Sequence, residues 1–233
     1  LDLVGGGLQA LKKLPHVGGV ALRTDTERVR RTAEEMRGML EHRQEVFRDR
    51  GIDSVSQLRR MHARGDVPEL ASADVILCID GYGALRNDFS EIEGIVTDLL
   101  QRGGGYGIHV VAGMLRWNDV RIATQSNFGQ KVELHLNDAT ESTIDRKLAD
   151  TFPEGVAGRA LIPGKLFAQT ALPRFDGEAS DEDLGTVVEA TVREIDRAWP
   201  GKRAPEVRVL PTSLSVSSLP VSYTHLTLPT TPY

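Results

Sequence analysis

Cysteine, long apolar runs and targeting signals are what this chain has least of. Cys78 is its only cysteine, so no disulfide forms within the chain, and this fits a reducing compartment. No stretch approaches the roughly 20 apolar residues of a membrane-spanning helix. The first residues show no signal-peptide pattern and no starting methionine, because the chain begins Leu1-Asp2-Leu3. We therefore expect a fragment of a longer protein.

Several catalytic signatures are also absent. A phosphate-binding loop requires Gly, four residues, Gly-Lys and then Ser or Thr. The nearest match, Gly158 through Gly164-Lys165-Leu166, has one residue too many and ends in an apolar residue, so we predict a hairpin turn. The glycines at 103–107 end a predicted helix, whereas a dinucleotide-binding turn opens one. The six histidines lack metal-ligand spacing and no Gly-x-Ser-x-Gly run occurs, so neither a metal cluster nor a hydrolase triad is expected.

Charged side chains are missing from the C-terminal end. Residues 209–233 contain no Asp, Glu, Lys or Arg and are rich in Ser, Thr, Pro and Leu. We predict one globular module over 1–208 and a non-globular tail over 209–233, interpreted as a sequence artefact, with a Pro-rich linker as the alternative. The net charge of -5 argues against nucleic-acid binding. The basic stretch from Arg43 to Arg64 is interpreted as a solvated helix face.

One carboxylate follows a short apolar run. Val75 through Ile79 lead into Asp80 and Gly81, the pattern of a strand buried on both faces, with Cys78 as one of its small buried side chains. The carboxyl end of such a strand is where open α/β sheets bind ligands. In P-loop NTPases an aspartate there, the Walker B residue, helps to hold Mg²⁺ on a nucleotide. The residues alone leave a second interpretation open, in which Asp80 caps the following turn.

The apolar periodicity predicts alternating strands and helices, and hence a doubly wound, mostly parallel α/β sheet. Thr24 and Glu27 fit a capping box in front of a long helix that ends near Asp49. Further helices are predicted over 54–63, from 89 to 102 with Asn87 or Asp88 as cap, from 137 to 149, and from 180 to 198. Further strands are predicted over 107–113 and 131–136, with a hairpin over 159–171.

Two arginines are candidate ligands of phosphate groups. Arg116 follows the predicted strand at 107–113, and Arg159 lies at the start of the predicted hairpin. Guanidinium groups bind phosphate oxygens or the carboxylates of a neighbouring subunit through paired hydrogen bonds. Ordinary surface ion pairs are the alternative for both.

A series of short motifs occurs in collinear order along roughly residues 1–211. They are Leu1–Gly7, Leu14–Ala21, Arg28–Thr32, Gly51–Ser54, Asp80–Gly81, Gly105–Val111, Arg116–Trp117, Glu133–Leu134, Glu141–Ser142, Ile144–Arg146 and Ala171–Gly177. As a set they resemble the FtsK/SpoIIIE-type ATPases of type VII (ESX) secretion, the EccC family. The resemblance is strongest to the second of the three tandem ATPase modules of that family.

The resemblance implies a RecA-like P-loop NTPase core, N-terminally truncated, whose Walker A loop would precede Leu1. It implies ATP and Mg²⁺ as cofactors of the full-length module, with Asp80 as the Walker B ligand of Mg²⁺ and Gly81 beside it. The parent protein would act at the cytoplasmic face of the cell membrane as a homo-hexamer. Its partners would be other ATPase modules, type VII core components and exported WXG100-type proteins, with no nucleic acid.

Two departures from the family pattern bear on catalysis. Active modules carry Glu after the Walker B Asp, where Gly81 stands, and Thr-Gln before the next Arg, where Met114 and Leu115 stand. Loss of a water-activating base typically costs about 10²-fold in rate or more. We therefore expect a degenerate module that binds nucleotide, hydrolyses it poorly and has no catalytic residue of its own. An interaction module with a vestigial site is the alternative, and an FtsK-type DNA translocase is less favoured.

Overall fold

Helices and strands alternate along the part of the chain that the structure describes. The computed structural model describes residues 1–153 and 155–209, so the predicted tail from 210 onwards lies outside the described residues. The helices are α1 (Thr26–Arg50), α2 (Val55–Ala63), α3 (Tyr82–Asp88), α4 (Ser90–Arg102), α5 (Ile122–Gln125), α6 (Arg146–Ala149) and α7 (Leu184–Ala198). The strands are β1 (Val75–Asp80), β2 (Ile108–Gly113), β3 (Glu133–Leu134), β4 (Arg159–Ile162) and β5 (Leu166–Gln169). Short 3₁₀ helices lie at Gly7–Lys13, Gly103–Tyr106, Trp117–Asp119 and Ala139–Glu141.

A parallel sheet organises the first part of the chain. β1 and β2 pair in parallel from Val75 opposite Ile108 to Asp80 opposite Gly113. The first residues of the chain extend this sheet, because Asp2 forms parallel bridges both to Asp80 and to Leu22. The carboxyl ends of these segments therefore meet at one edge, as expected for a parallel α/β sheet.

One face of this sheet is buried against α1 and α4. The buried cluster joins Leu77 and Ile79 of β1 to a stripe on α1 and to a stripe on α4. The α1 stripe is Val29, Ala33, Met36 and Leu40, spaced three and four residues apart as one helical face requires. Burial of these apolar side chains supplies most of the stability of such a layer.

The other face of β1 and β2 is uncovered within the described residues. Successive strand side chains alternate between faces, and Ile76 is 60% exposed while Val111 is 57% exposed. Cys78, between them on this face, is exposed as well. The prediction of a strand buried on both faces, with Cys78 inside, is therefore wrong, because α1 and α4 both pack against the side that carries Leu77 and Ile79.

The existence of most elements is confirmed, but several of the predicted caps are wrong. Asp25, and not Thr24, caps α1, because its carboxylate accepts the Arg28 backbone N–H at 3.1 Å. Ser54 caps α2 as predicted, accepting from the backbone of Gln57 at 3.2 Å. Residues 87 and 88 end α3 and leave α4 without a side-chain cap. The strand predicted over 131–136 shrinks to β3, and the helix predicted over 137–149 is only a 3₁₀ turn followed by α6.

A buried arginine holds the end of the sheet at which β1 and β2 begin. Arg43 is 3% exposed, which corrects its interpretation as part of a solvated face. Its guanidinium donates hydrogen bonds of 2.7 to 2.8 Å to the backbone carbonyls of Ser72, Ala73 and Tyr106. These bonds tie α1 to the segments that enter both strands, because residues 72–73 precede β1 and residue 106 precedes β2.

An ion-paired carboxylate lies at the same end. Asp74 accepts two hydrogen bonds of 2.8 Å from Arg59, and Nε2 of His109 lies 3.0 Å from the same carboxylate. The Arg59 guanidinium, through these hydrogen bonds, lowers the pKa of Asp74 to about 2. The pair links α2 to Asp74, the residue directly before β1, and leaves Arg59 engaged with protein.

A small antiparallel sheet forms the second part of the chain. β3, β4 and β5 pair in that order, and β4 and β5 form the hairpin predicted from the sequence. Gly164 and Lys165 make its turn, and Lys165 adopts a positive φ of 62°. The ammonium of Lys165 lies 2.8 Å from the carboxylate of Asp145. The near-match to a phosphate loop is thus a hairpin turn, as predicted.

Candidate functional site

Asp80 lies at the carboxyl edge of the parallel sheet, between two neighbouring segments. Its backbone N–H donates to the Leu1 carbonyl and its own carbonyl accepts from Leu3, both at 2.9 Å. Its side chain is half-buried and accepts no hydrogen bond from another of the described residues. On its other side a Cβ at Gly113 would lie 3.0 Å from Oδ1 of Asp80, so the glycine leaves the carboxylate accessible. A carboxylate in this position can bind a cation or a donor group from outside.

Gly81 turns the chain sharply from β1 into α3. Its φ of 91° and ψ of 56° lie in the left-handed region, which side chains other than that of glycine rarely adopt. Its N–H donates to the Gly113 carbonyl at 3.1 Å, which fixes the turn against the end of β2. A Cβ at this position would lie 2.3 Å from Cγ2 of Val4. No side chain fits here without a shift of Val4.

A second carboxylate, which was not predicted from the sequence, lies on this edge. Asp2 is 1% exposed and pairs directly with Asp80 in the sheet. Its two oxygens accept the backbone N–H groups of Gly6 and Leu8, at 2.8 and 2.9 Å, and so hold the glycine loop that follows. The only signal in the sequence is an aspartate within a short apolar segment that leads into glycines, and it does not indicate that the glycine loop folds back onto Asp2. Both oxygens of the buried Asp2 already accept backbone N–H groups, so its role is to position the loop.

Arg116 lies at the same edge, three residues after β2 ends. Its guanidinium is 69% exposed, with Nε 3.8 Å from Oε1 of Glu141, a loose surface pair. Its backbone N–H donates to Oδ2 of Asp119 at 3.3 Å, and Asp119 packs against Gly83 of α3. The turn that carries Arg116 is thereby attached to the helix that begins after Gly81.

Aromatic rings form the floor beneath this turn. Trp117 contacts Phe128 edge-on with ring centroids 5.6 Å apart, and Phe128 in turn contacts Tyr82 at 6.2 Å. Tyr82 is fully buried directly after Gly81, and this burial raises the pKa of its hydroxyl. The packing makes the Asp80–Gly81 turn and the Arg116 turn one continuous region of the surface.

Arg159 lies on a different sheet from the other predicted site residues. It is the first residue of β4, and its guanidinium stacks over the Phe167 ring at 5.1 Å. Its Nε is buried without a hydrogen-bond partner among the described residues. The structure therefore brings Asp80, Gly81 and Arg116 to one edge and shows no contact between Arg159 and them.

The residues at this edge fit part of a nucleotide–Mg²⁺ site. Mg²⁺ in NTPases is bound by one or two carboxylates and by substrate phosphates, with water in the remaining positions. Asp80 supplies one accessible carboxylate, and the exposed Arg116 supplies a donor for a phosphate oxygen. No group of three or more His, Cys, Asp or Glu side chains suited to a metal is found within residues 1–153 and 155–209. The donor set thus suits a cation that arrives on a nucleotide rather than one held by protein alone.

The parallel sheet with Asp80 at its carboxyl edge defines the class of protein as an open α/β fold that binds ligands at that edge. Comparison with known families then gives the particular group, since the FtsK/SpoIIIE family model matches residues 1–161. The chain belongs to the FtsK/SpoIIIE family. The fold class and the family resemblance predicted from the motifs are both confirmed.

Relatives from type VII secretion are similar to nearly the whole chain. ESX secretion system protein EccC of Thermomonospora curvata is 44% identical over 220 residues, which are 94% of this chain and 17% of that protein. ESX-1 secretion system protein EccCb1 of Mycobacterium tuberculosis is 34% identical over 221 residues, which are 94% of this chain and 37% of that protein. The chain spans less than half the length of these relatives.

A solved structure is similar as well. It contains ATPases 2 and 3 of Thermomonospora curvata EccC in complex with a signal sequence peptide. It superposes with a TM-score of 0.88 at 43% identity, over 94% of this chain and 40% of that one. In the part of this chain that the structure describes, no helix is long and apolar enough to cross a membrane.

Proposed function

We propose that this chain is a degenerate nucleotide-binding ATPase module of a type VII secretion motor. In its full-length protein the module binds ATP with Mg²⁺ and hydrolyses it poorly. The observation that carries the proposal is the geometry of Gly81, the position at which the family resemblance expects a catalytic glutamate. A glutamate here would need a left-handed backbone and a shift of Val4, whose Cγ2 would lie 2.3 Å from the added Cβ, so the turn disfavours that residue.

The roles of the chain's own residues follow from their positions. Asp80 would hold Mg²⁺ through its accessible carboxylate, and Gly81 keeps the turn short enough for that carboxylate to stay at the edge of the sheet. Arg116 would bind a phosphate oxygen or a neighbouring subunit, and Arg159 is proposed for the same kind of contact from the antiparallel sheet. Bound nucleotide supplies the phosphates that complete the Mg²⁺ coordination. With no base beside Asp80, the ligand serves to stabilise the module by mass action.

The stoichiometry of bound nucleotide in the full-length protein tests the binding claim. Titration with a fluorescent ATP analogue and Mg²⁺ should show one site fewer per protomer after Asp80→Ala. The matched control is Asp53→Ala, an exposed carboxylate in the loop before α2, which should leave the count unchanged. An unchanged count in Asp80→Ala would contradict nucleotide binding at this edge.

Single-turnover hydrolysis tests the second half of the proposal. Nucleotide bound at the Asp80 site should be cleaved at least about 10²-fold more slowly than at a site with a water-activating base. In an active module, replacing the equivalent aspartate slows phosphate release. If Asp80→Ala slows phosphate release by the same factor, the site at Asp80 does hydrolyse ATP, and this part of the proposal is wrong.

The assignment to a secretion motor rests on the relatives. Their identities of 34% and 44% are spread over nearly the whole chain, and one neighbour was solved with a signal sequence peptide. We propose that the parent protein acts at the cytoplasmic face of the cell membrane, as a homo-hexamer with other ATPase modules and core components, and that it exports WXG100-type proteins. Loss of export of such a protein in a strain that carries the Asp80→Ala form, with normal levels of the motor, is the expected result.

A second candidate function is an interaction module whose nucleotide site is vestigial. Phe175, which is 87% exposed on the loop between β5 and α7, favours it. Capture of a WXG100-type partner that is insensitive to nucleotide would support this alternative over the first. DNA translocation is less favoured, because the chain has a net charge of -5. A gel shift of duplex DNA by the protein that weakens with salt would support DNA translocation instead.

A further inference from the structure

The turn that carries Arg116 is joined to the helix beside Asp80 by a single carboxylate. Asp119 is half-buried, and its Oδ2 accepts the backbone N–H of Arg116 at 3.3 Å. The same carboxylate packs against Gly83 of α3, because a Cβ at Gly83 would lie 3.1 Å from both Cγ and Oδ2 of Asp119. Gly83 lies three residues after Asp80, and Asp119 lies three residues after Arg116. Asp119 thus connects the two candidate ligands of a nucleotide by a short path.

Close packing is the reason for a glycine at position 83. Gly83 is not among the glycines with a positive φ, so its backbone does not require glycine. The space does, because an added Cβ would press on the carboxylate of Asp119 and displace it by a few tenths of an ångström. The missing side chain at Gly83 therefore determines how closely the Arg116 turn approaches α3.

Two other side chains hold the body of the same turn. Nε2 of Gln125, on α5, donates to the carbonyls of Trp117 and Val120 at 3.3 and 3.0 Å. Nη1 of Arg86, on α3, donates to the backbone carbonyl of Asp119 at 3.4 Å. The turn is therefore fixed to α3 and to α5, and the Asp119 carboxylate holds its first residue.

The guanidinium of Arg116 remains available to a ligand. It is 69% exposed, and its contact with Glu141 is a loose pair at 3.8 Å. A long side chain loses conformational freedom when it binds, and a backbone that is already in place limits this loss. The placement of the Arg116 backbone should therefore influence how well its guanidinium binds a phosphate group.

We propose that Asp119 is the residue that positions Arg116 for a phosphate group of the nucleotide whose Mg²⁺ is held by Asp80. Asp119 acts through the backbone of Arg116 and through its contact with Gly83, and not by touching the ligand. The inference rests on the proposed nucleotide site and adds a residue outside it. A carboxylate near phosphates would by its charge alone weaken binding, so positioning and charge predict opposite effects when Asp119 is replaced.

Nucleotide affinity in the full-length protein tests the proposal. The signal of this site is the part of the bound fluorescent ATP analogue, with Mg²⁺, that Asp80→Ala removes. Arg116→Ala should weaken binding there by about 10-fold, as expected for loss of a hydrogen bond between charged groups. Asp119→Ala should weaken it by about 5-fold, since only the placement of the guanidinium is lost. In the Arg116→Ala background, Asp119→Ala should have no further effect, because both changes act through one contact.

Three variants separate positioning from charge and from stability. Asp119→Asn removes the charge but keeps an oxygen that accepts the Arg116 N–H, so its affinity should stay near that of the wild type. Gly83→Ala keeps every charge and introduces a better helix former, so it should weaken binding by about 3-fold without lowering the Tm. Ser54→Ala removes the cap of α2, a helix attached to the opposite end of β1, and should lower the Tm without a change in affinity.

Two results would overturn the positioning role and leave the nucleotide site standing. They are an Asp119→Ala protein that binds at the Asp80 site as tightly as the wild type or more tightly, and effects of Asp119→Ala and Arg116→Ala that simply add. If Asp119→Ala does not fold, Gly83→Ala takes its place in both comparisons. A nucleotide count that Asp80→Ala leaves unchanged would overturn the site and the positioning role together.

Discussion

Replacement of Gly81 by glutamate should fail to restore an active site and should destabilise the module. The left-handed backbone costs a residue with a Cβ about 1–2 kcal/mol. The added Cβ would overlap Cγ2 of Val4, and a rotation of Val4 out of its rotamer costs about 0.5–1.5 kcal/mol more. The sum is about 1.5–3.5 kcal/mol. At about 2–4 °C per kcal/mol for a domain of this size, the expected fall in Tm is roughly 3–14 °C.

Two further variants separate the two contributions. Gly6→Ala has a similar positive φ of 77° but nothing within 4 Å of the added Cβ, so it should lose only the backbone part. Gly81→Ala should lower the free energy of unfolding by both the backbone cost and the cost of the overlap with Val4. When Val4→Ala removes the overlapping methyl group, the further change Gly81→Ala should cost only as much as Gly6→Ala does. Urea unfolding gives the free energies, and phosphate release measures hydrolysis. A Gly81→Glu protein as stable as the wild type and faster in ATP hydrolysis would refute the reasoning.

Three other changes have defined outcomes. Arg43→Met should lower the free energy of unfolding by about 2–4 kcal/mol, because three half-buried carbonyls lose their buried donor. Urea unfolding of this variant beside Arg43→Lys measures the loss. Asp74→Asn should be less stable than the wild type at neutral pH, and this difference should shrink as the pH falls from about 4 to 2. The folded pKa of Asp74 is lowered to about 2, so its carboxylate stabilises the fold above the unfolded pKa and loses this effect as the pH falls through that window. Thermal melting of both proteins at several pH values measures the difference. Arg121→Met leaves the buried carboxylate of Glu93 without its 2.7 and 2.8 Å partners and should cost about 1–3 kcal/mol by urea unfolding, whereas Glu93→Gln with Arg121→Met should cost less.

Elements with strong local signals could be predicted from the sequence. The stripe on α1 and the run into Asp80 have periods that specify a helix and a strand before any tertiary contact is known. The hairpin at Gly164-Lys165 followed from turn chemistry in the same way. Helix caps were harder, because Thr24 and Asp25 are both good caps and only the tertiary path of the chain selects Asp25.

The candidate site was predictable in part. Asp80 and Arg116 could be placed at one edge, because each follows a strand of a predicted parallel sheet. Asp2 was overlooked, since an aspartate between two leucines gives no sign that the following glycine loop folds back onto it. Arg159 was grouped with the others through its residue type alone, and strand pairing, which is a long-range property, places it on the other sheet.

The uncovered face of β1 and β2 makes Cys78 a chemical reporter. It is the only thiol in the chain and it is exposed in the middle of that face. A maleimide therefore labels one known atom, with no background from other cysteines. The labelling rate of Cys78, followed as further segments or subunits are added, would time the moment at which this face becomes shielded from solvent.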